Sequence, residues 1–440
     1  MNTVNYKYNI KTILTIIISA FIIIISQWKL EFHTHIAANG SAKIYIIELI
    51  ILIWGIYVIL INTIHKSIVK QSKLFKLNLA LFFIFGIYYC LTMLYHLYKH
   101  MPLTTSFYLA RIMLEICCTA IIICFYKLRT KDIFLGILTA LLFGIIMQYI
   151  TLIMGKDLRG AHVNILGDSV TMYTCQILLI PYMVFFFQHP FNKFIKPLIS
   201  ITLIAMWPTL ILAGSRLALI LAIVIFILSC IFFTNKKASS LLIISTFITL
   251  ITSFFIIKNY GNNNNNDDLQ RSVYEITRFL PKKNNSIKKT HNKNVNKNVS
   301  RTVNTSNDMR KIINKKSIKL ILKNKTSLLF GIGMSSVYTK RWGYQKPHNL
   351  FLLFLLPFGI IGLFICYSIL LSPLLIIIFN KNKVNKRITI LIVLTLLPLL
   401  LISTIEPTLG VLIIDILLIS LTSCLEEDKS LSSIHSSNMT

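Results

Sequence analysis

The chain is built from uninterrupted apolar stretches, each close to twenty residues long, and that pattern leaves few folds open to it. The stretches lie near 12–28, 43–62, 77–97, 106–126, 132–154, 169–188, 195–214, 217–234, 239–257, 357–379, 388–405 and 408–424. At ~1.5 Å of rise per residue, a helix of that length crosses about 30 Å of hydrocarbon. A helix also satisfies its own backbone polar groups, which lipid cannot do. The apolar residues neither alternate as in a half-buried strand nor keep to one stripe of a surface helix. Across 440 residues, 55% are hydrophobic and 14% charged, with a mean hydropathy of +0.71. The expected fold is all-α: a polytopic integral membrane protein of about 12 transmembrane helices with one large outer loop. The first apolar run has no small-residue cleavage site and should remain as a signal anchor.

Four regions follow. Residues 1–257 form a membrane domain of about nine spans, 258–348 the large loop, 349–424 a second membrane region, and 425–440 a tail. The apolar run 349–379 is too long for one span, so its first part is expected to be a short interfacial or re-entrant helix leading into the span at 357.

The formal net charge is +30, and the loop alone holds 20 Lys and Arg against 4 Asp and Glu. No nucleic-acid-binding module accompanies these charges, so nucleic acid is not an expected partner. A basic loop on a membrane protein suits lipid head groups or an anionic lipid-linked substrate. Lys and Arg in the short loops set the orientation. With the N-terminus inside, the inner segments hold seventeen: Lys7, Lys11, Lys66, Lys70, Lys73, Lys76, Lys127, Arg129, Lys131, Lys193, Lys196, Lys236, Lys237, Lys381, Lys383, Lys386 and Arg387. The short outer segments hold six: Lys29, Lys43, Lys99, Lys156, Arg159 and Arg216. Both termini are therefore expected inside and the large loop outside. That loop does not itself count, because long loops translocate largely regardless of charge.

Within the loop, 258–306 is rich in Asn and Lys, including Asn262 to Asn266. It buries too little apolar surface to order itself. Genomic composition bias accounts for such a tract without any function. In 309–325, Met309, Ile312, Ile313, Leu320 and Ile321 recur at helical spacing with lysines between them. The pattern is that of a basic amphipathic helix on the membrane or the bundle. Gly331-Ile332-Gly333 follows as a turn. The eight cysteines lie in or beside the spans, with no CxxC pair. Neither a disulfide nor a zinc site is expected.

Two places are chemically specific. One is AGSRLAL at 213–219, which puts Arg216 between spans seven and eight. The other is His348–Asn349, followed by nine residues, Gly359, two more residues and Gly362. This H-N-x9-G-x-x-G pattern resembles the bacterial O-antigen ligases and the related O-antigen polymerases. That family has about twelve helices and one large outer loop in the C-terminal third. It also has a small-Ser/Thr-Arg element before a middle span, and a second arginine at the start of a loop helix, ahead of a Gly-x-Gly turn. Arg310 takes the second-arginine position here. The chain departs from the family in having Met309, rather than a small residue, before that arginine, so Arg301 competes with Arg310 for the role. The resemblance spans roughly 155–410; spans one to four match only in being hydrophobic.

The resemblance implies a glycan donor on undecaprenyl diphosphate in a bacterial inner membrane, with the active site in the periplasm. An acceptor hydroxyl of lipid A–core, or of a growing glycan, displaces the diphosphate and inverts the anomeric carbon. The leaving diphosphate needs cations. Arginine meets phosphate oxygens with a planar fork and stays charged. Arg216 is the first choice, then Arg310 and Arg159, with Asn349 and Arg341 beside them as substrate contacts. His348 suits the base that activates the acceptor, or a hydrogen-bond donor to the diphosphate. The bland readings are a snorkelling arginine at a span end for Arg216 and an interfacial structural histidine for His348. Arg111 and Glu115 lie at i and i+4 inside span four, where charges are costly and are paired or functional. They form either a structural pair or, through Arg111, part of the lipid-diphosphate cavity. Acids on the outer side are few and scattered, among them Glu31, Asp157, Asp168 and Asp267–Asp268. No metal and no other cofactor is expected. The rival within the family is a polymerase joining repeat units on the same carrier. The rival outside it is a flippase of lipid-linked sugars, against which stands the absence of interrupted helices repeated in two halves.

Overall fold

A computed structural model describes residues 10–25, 29–32, 42–65, 68, 71–99, 104–153, 169–188, 195–212, 216–234, 242–253, 255, 311–323, 325–333, 350–379 and 386–401. The helices are α1 (Ile10–Ile25), α2 (Ile46–Ile64), α3 (Lys73–Tyr98), α4 (Thr104–Tyr126), α5 (Thr130–Ile153), α6 (Ser169–Gln188), α7 (Ile195–Leu212) and α8 (Arg216–Phe233). Then come α9 (242–253) and α10 (311–322), followed by α11 (Lys325–Phe330), α12 (Leu350–Leu370), α13 (Ser372–Phe379) and α14 (Lys386–Leu401).

Four of these are long and apolar enough to cross a membrane: Lys73–Tyr98, Leu109–Tyr126, Thr130–Ile150 and Leu350–Leu370. Seven shorter apolar helices accompany them among the described residues. The expected span at 408–424 lies outside the described residues. The fold is all-α as the hydropathy requires, with one short ribbon beside the helices. Strands β1 (Lys29–Phe32) and β2 (Ala42–Tyr45) form an antiparallel ribbon between α1 and α2. Its register sets Glu31 opposite Lys43. Four-residue strands produce too little alternation to stand out between two long apolar runs.

The bundle is apolar outside and partly polar inside. On α3, Phe83, Ile84, Ile87, Leu91, Leu94 and Leu97 are exposed, whereas Asn78, Thr92 and His96 are fully buried. Water would drive the opposite arrangement; a contiguous apolar exterior is a lipid-facing surface. The buried stripe of α3 runs Leu74, Asn78, Leu81, Phe85, Tyr88, Thr92, His96, at the three- and four-residue spacing of one helix face. Helix α4 is the most enclosed of the four long helices and packs against α2, α3 and α12. Helix α1 lies along α5, and α6 lies against α7, α8 and α14. At the start of α1 and α5, Lys11 Nζ donates to Tyr126 O at 3.0 Å, Arg129 pairs with Asp132 at 2.9 Å, and Arg129 also donates to Thr12 Oγ1.

Candidate functional site

Helix α12 opens directly after His348–Asn349 and is broken at Gly359, whose φ of 65° and ψ of −169° are non-helical. The break lies two residues beyond Pro357, which has no N–H for the ladder and crowds the preceding turn. At the Gly359 break the carbonyl of Leu356 accepts from Ile332 N–H at 2.8 Å, so a distant segment docks into the kink. That segment is the turn after α11. Gly331 N–H donates to Ser327 O at 2.9 Å, and Gly331 then takes a φ of 80°, the left-handed conformation that ends helices and suits glycine.

The two backbones approach too closely for side chains. A Cβ on Gly331 would lie 2.5 Å from both C and O of Pro357 and 2.7 Å from Leu356 O. One on Gly359 would overlap the Leu329 carbonyl and lie 2.6 Å from Gly331 N. Gly362, the second glycine of the motif, clears a path for a third element: a Cβ there would sit 2.7 Å from Tyr88 Cε1. Tyr88 uses that space. Its hydroxyl donates to Phe358 O and lies 3.2 Å from Leu329 O, so one side chain of α3 joins both sides of the docked turn. The Tyr88 ring stacks with Phe330 at 6.5 Å, and Tyr95 packs on the same ring at 5.6 Å. Phe85 and Tyr89 hold Phe358 edge-on. Further along the stripe, Ser372 Oγ donates to Asn78 Oδ1 at 3.3 Å, so α3 runs antiparallel to α12–α13.

Helix α8 begins at Arg216, and two contacts hold the helix before it, α7. Trp207 of α7 packs edge-on against Phe226 of α8 at 5.7 Å. Seven residues before Arg216, Thr209 Oγ1 accepts from Gln176 Nε2 at 2.9 Å. The Gln176 amide also reaches Gln148 at 3.4 Å, tying α5, α6 and α7 together. Such side-chain bonds between helices are the polar glue of membrane bundles.

Of the residues singled out from sequence, Arg111 is buried in α4, as is Glu115 one turn on, and neither is without a partner. Arg216 is placed by its backbone at the first turn of α8. His348, Asn349, Arg310, Arg341, Arg159 and the rival Arg301 lie outside the described residues, as do Asp157, Asp168 and Asp267–Asp268. The structure unites the Gly-Ile-Gly turn with the Gly-x-x-Gly half of the histidine motif. Sequence reasoning missed Tyr88 and the α3 stripe that receives them. The only available signal was polar residues recurring at one-face spacing within an apolar span.

Residues 201–367 match the family model described as O-antigen ligase. The match bears out the resemblance carried by the motifs. It runs from α7 into α12 and takes in Arg216, the Gly-Ile-Gly turn, His348, Asn349, Gly359 and Gly362. It is narrower than the 155–410 expected, and α3 falls outside it. Comparison with curated proteins finds no match.

Proposed function

We propose that this chain, which carries an O-antigen ligase family domain over residues 201–367, is a membrane glycosyltransferase that moves a glycan from undecaprenyl diphosphate to a hydroxyl of lipid A–core. One observation carries the reading. The Gly-Ile-Gly turn, which in the sequence precedes the segment ending in His348–Asn349, docks on the kink of α12, the helix that follows that segment. A reactive group needs such support, because small misplacements are costly in rate.

The acceptor oxygen attacks the anomeric carbon of the first sugar from the face opposite the diphosphate. The carbon–oxygen bond to phosphate breaks, undecaprenyl diphosphate leaves with that electron pair, and the anomeric centre inverts. The acceptor's proton passes to His348. Arg216, with Arg310 and Arg159, binds the diphosphate and stabilises the charge that develops on it. Asn349 and Arg341 orient the sugar–diphosphate end, and Arg111 borders the lipid-linked substrate from α4. Fixed cations take the place of a divalent metal. Twelve spans, with both termini in the cytoplasm and 258–348 in the periplasm of a bacterial inner membrane, place these groups on the donor's side.

The family match also supports a polymerase, which uses the same donor bond. The lipopolysaccharide pattern after gene deletion separates the two. Bare core with long lipid-linked glycan accumulating is the result expected for a ligase. Core carrying one repeat unit reassigns the chain to polymerisation. An unchanged ladder, in a strain with no second such enzyme, refutes both.

A further inference from the structure

Helix α3 meets the Gly-Ile-Gly turn at more than Tyr88. His96, two helical turns further along the same face, is fully buried. Among the described residues neither of its ring nitrogens has a hydrogen-bonding partner, while the backbone groups of Phe330 and Gly331 lie beside it. Tyr95 packs against both the His96 ring and the Phe330 ring, at 5.7 and 5.6 Å. Tyr88 already addresses the carbonyl of Leu329. One face of α3 thus confronts three successive residues, 329 to 331, with a hydroxyl at one end and an imidazole at the other. Buried polar side chains are ordinarily hydrogen-bonded, and one that is not marks a strained or working position.

We propose that His96 is a positioning residue for glycan transfer: its ring N–H closes onto the carbonyl of Phe330 or Gly331 and holds the turn from which the chain runs on to His348. Hydrogen bonds of this kind are often long in a free enzyme and tighten when substrate is engaged. Tyr88 fixes the turn to the kink of α12; His96 fixes its other side, at Phe330 and Gly331. A neutral imidazole carries one donor and one acceptor, so a single N–H suffices for the carbonyl. The role rests on the glycosyltransferase reading above, but the clamp itself is a structural property that is measured separately.

Two substitutions separate a hydrogen-bonding role from simple packing. His96→Leu keeps bulk and removes the donor; His96→Gln keeps an N–H at similar reach. Amide hydrogen exchange of the purified full-length protein in detergent reports the clamp without any need for activity. Faster exchange across 329–333 in His96→Leu, with α12 beyond Gly362 unchanged and protection restored in His96→Gln, is the expected result. In a transfer assay, kcat should fall roughly ten- to hundred-fold in His96→Leu, the range expected when a reacting group is displaced by about an ångström. KM for the lipid-linked donor should stay within about twofold, and His96→Gln should recover most of the rate. Native exchange in His96→Leu, or equal loss in Leu and Gln, overturns the proposal. Wild-type protein that transfers no glycan refutes the functional reading, and hydrogen exchange then decides the clamp alone.

Discussion

Gly331 and Gly359, 28 positions apart in the sequence, meet backbone to backbone: a Cβ on Gly359 would come 2.6 Å from the amide nitrogen of Gly331. Both hold positive φ, 80° and 65°. Two motifs that look independent in the sequence are therefore halves of one joint. The glycines of H-N-x9-G-x-x-G serve this joint; the chemical role is proposed for His348 and Asn349.

Alanine at either glycine should break the joint. The left-handed conformation costs a non-glycine residue about 1–3 kcal/mol, and the overlap with backbone adds to that. Gly359→Ala should lower the thermal midpoint of the purified protein and reduce activity at least about tenfold. Because both substitutions disrupt one contact, Gly331→Ala combined with Gly359→Ala should cost less than the sum of the singles. Gly86, with nothing within 4 Å of an added Cβ, is the control. Gly86→Ala should be neutral or slightly stabilising, and a loss as large as that of Gly359→Ala would contradict this account of the joint.

The membrane-embedded nature of the chain was legible because twenty-residue apolar runs have one physical solution, and the His-Asn and Gly-Ile-Gly motifs were legible as patterns. Their union was not. The contact depends on a docked turn whose energetics reside in backbone approach, and no side-chain pattern announces that. The role of α3 was hidden for a related reason. Hydropathy scores Tyr88, Thr92 and His96 as minor interruptions of an apolar span, whichever way they face. The partners of Tyr88 are the carbonyls of Leu329 and Phe358, more than 200 positions away. The ribbon at 29–45 escaped because strands of four residues fall below the length at which alternation becomes visible.

Arg216→Lys keeps the charge at the head of α8 and removes the planar fork. If Arg216 binds the diphosphate bidentately, most activity should be lost at unchanged membrane abundance. Transfer at close to the native rate would reduce the residue to an interfacial anchor.

Transfer should proceed in EDTA. Acids on the proposed periplasmic side are few and scattered along the chain, whereas fixed arginines suffice to stabilise a leaving diphosphate. A rate abolished by chelation and restored by magnesium or manganese would replace the arginine-only account with a metal-assisted one.

A compartment-sensitive reporter fused at Asn294 should be active in its periplasmic form and silent in its cytoplasmic form, as the imbalance of basic residues between the short loops requires. Cytoplasmic activity would put His348 on the wrong side of the membrane for the lipid-linked donor.

In the proposed reaction a lipid diphosphate donates the glycan and His348 takes the acceptor's proton. Its most direct measurement uses purified protein, a defined undecaprenyl-diphosphate glycan, and lipid A–core or a second lipid-linked repeat unit as acceptor. Undecaprenyl diphosphate and elongated acceptor should appear one for one. His348→Ala, inserted and folded to the same level, should slow both by about 10²–10⁴-fold, the usual contribution of a positioned base. Release of undecaprenyl diphosphate with no glycan joined to either acceptor, or a His348→Ala protein as fast as the native one, would contradict it.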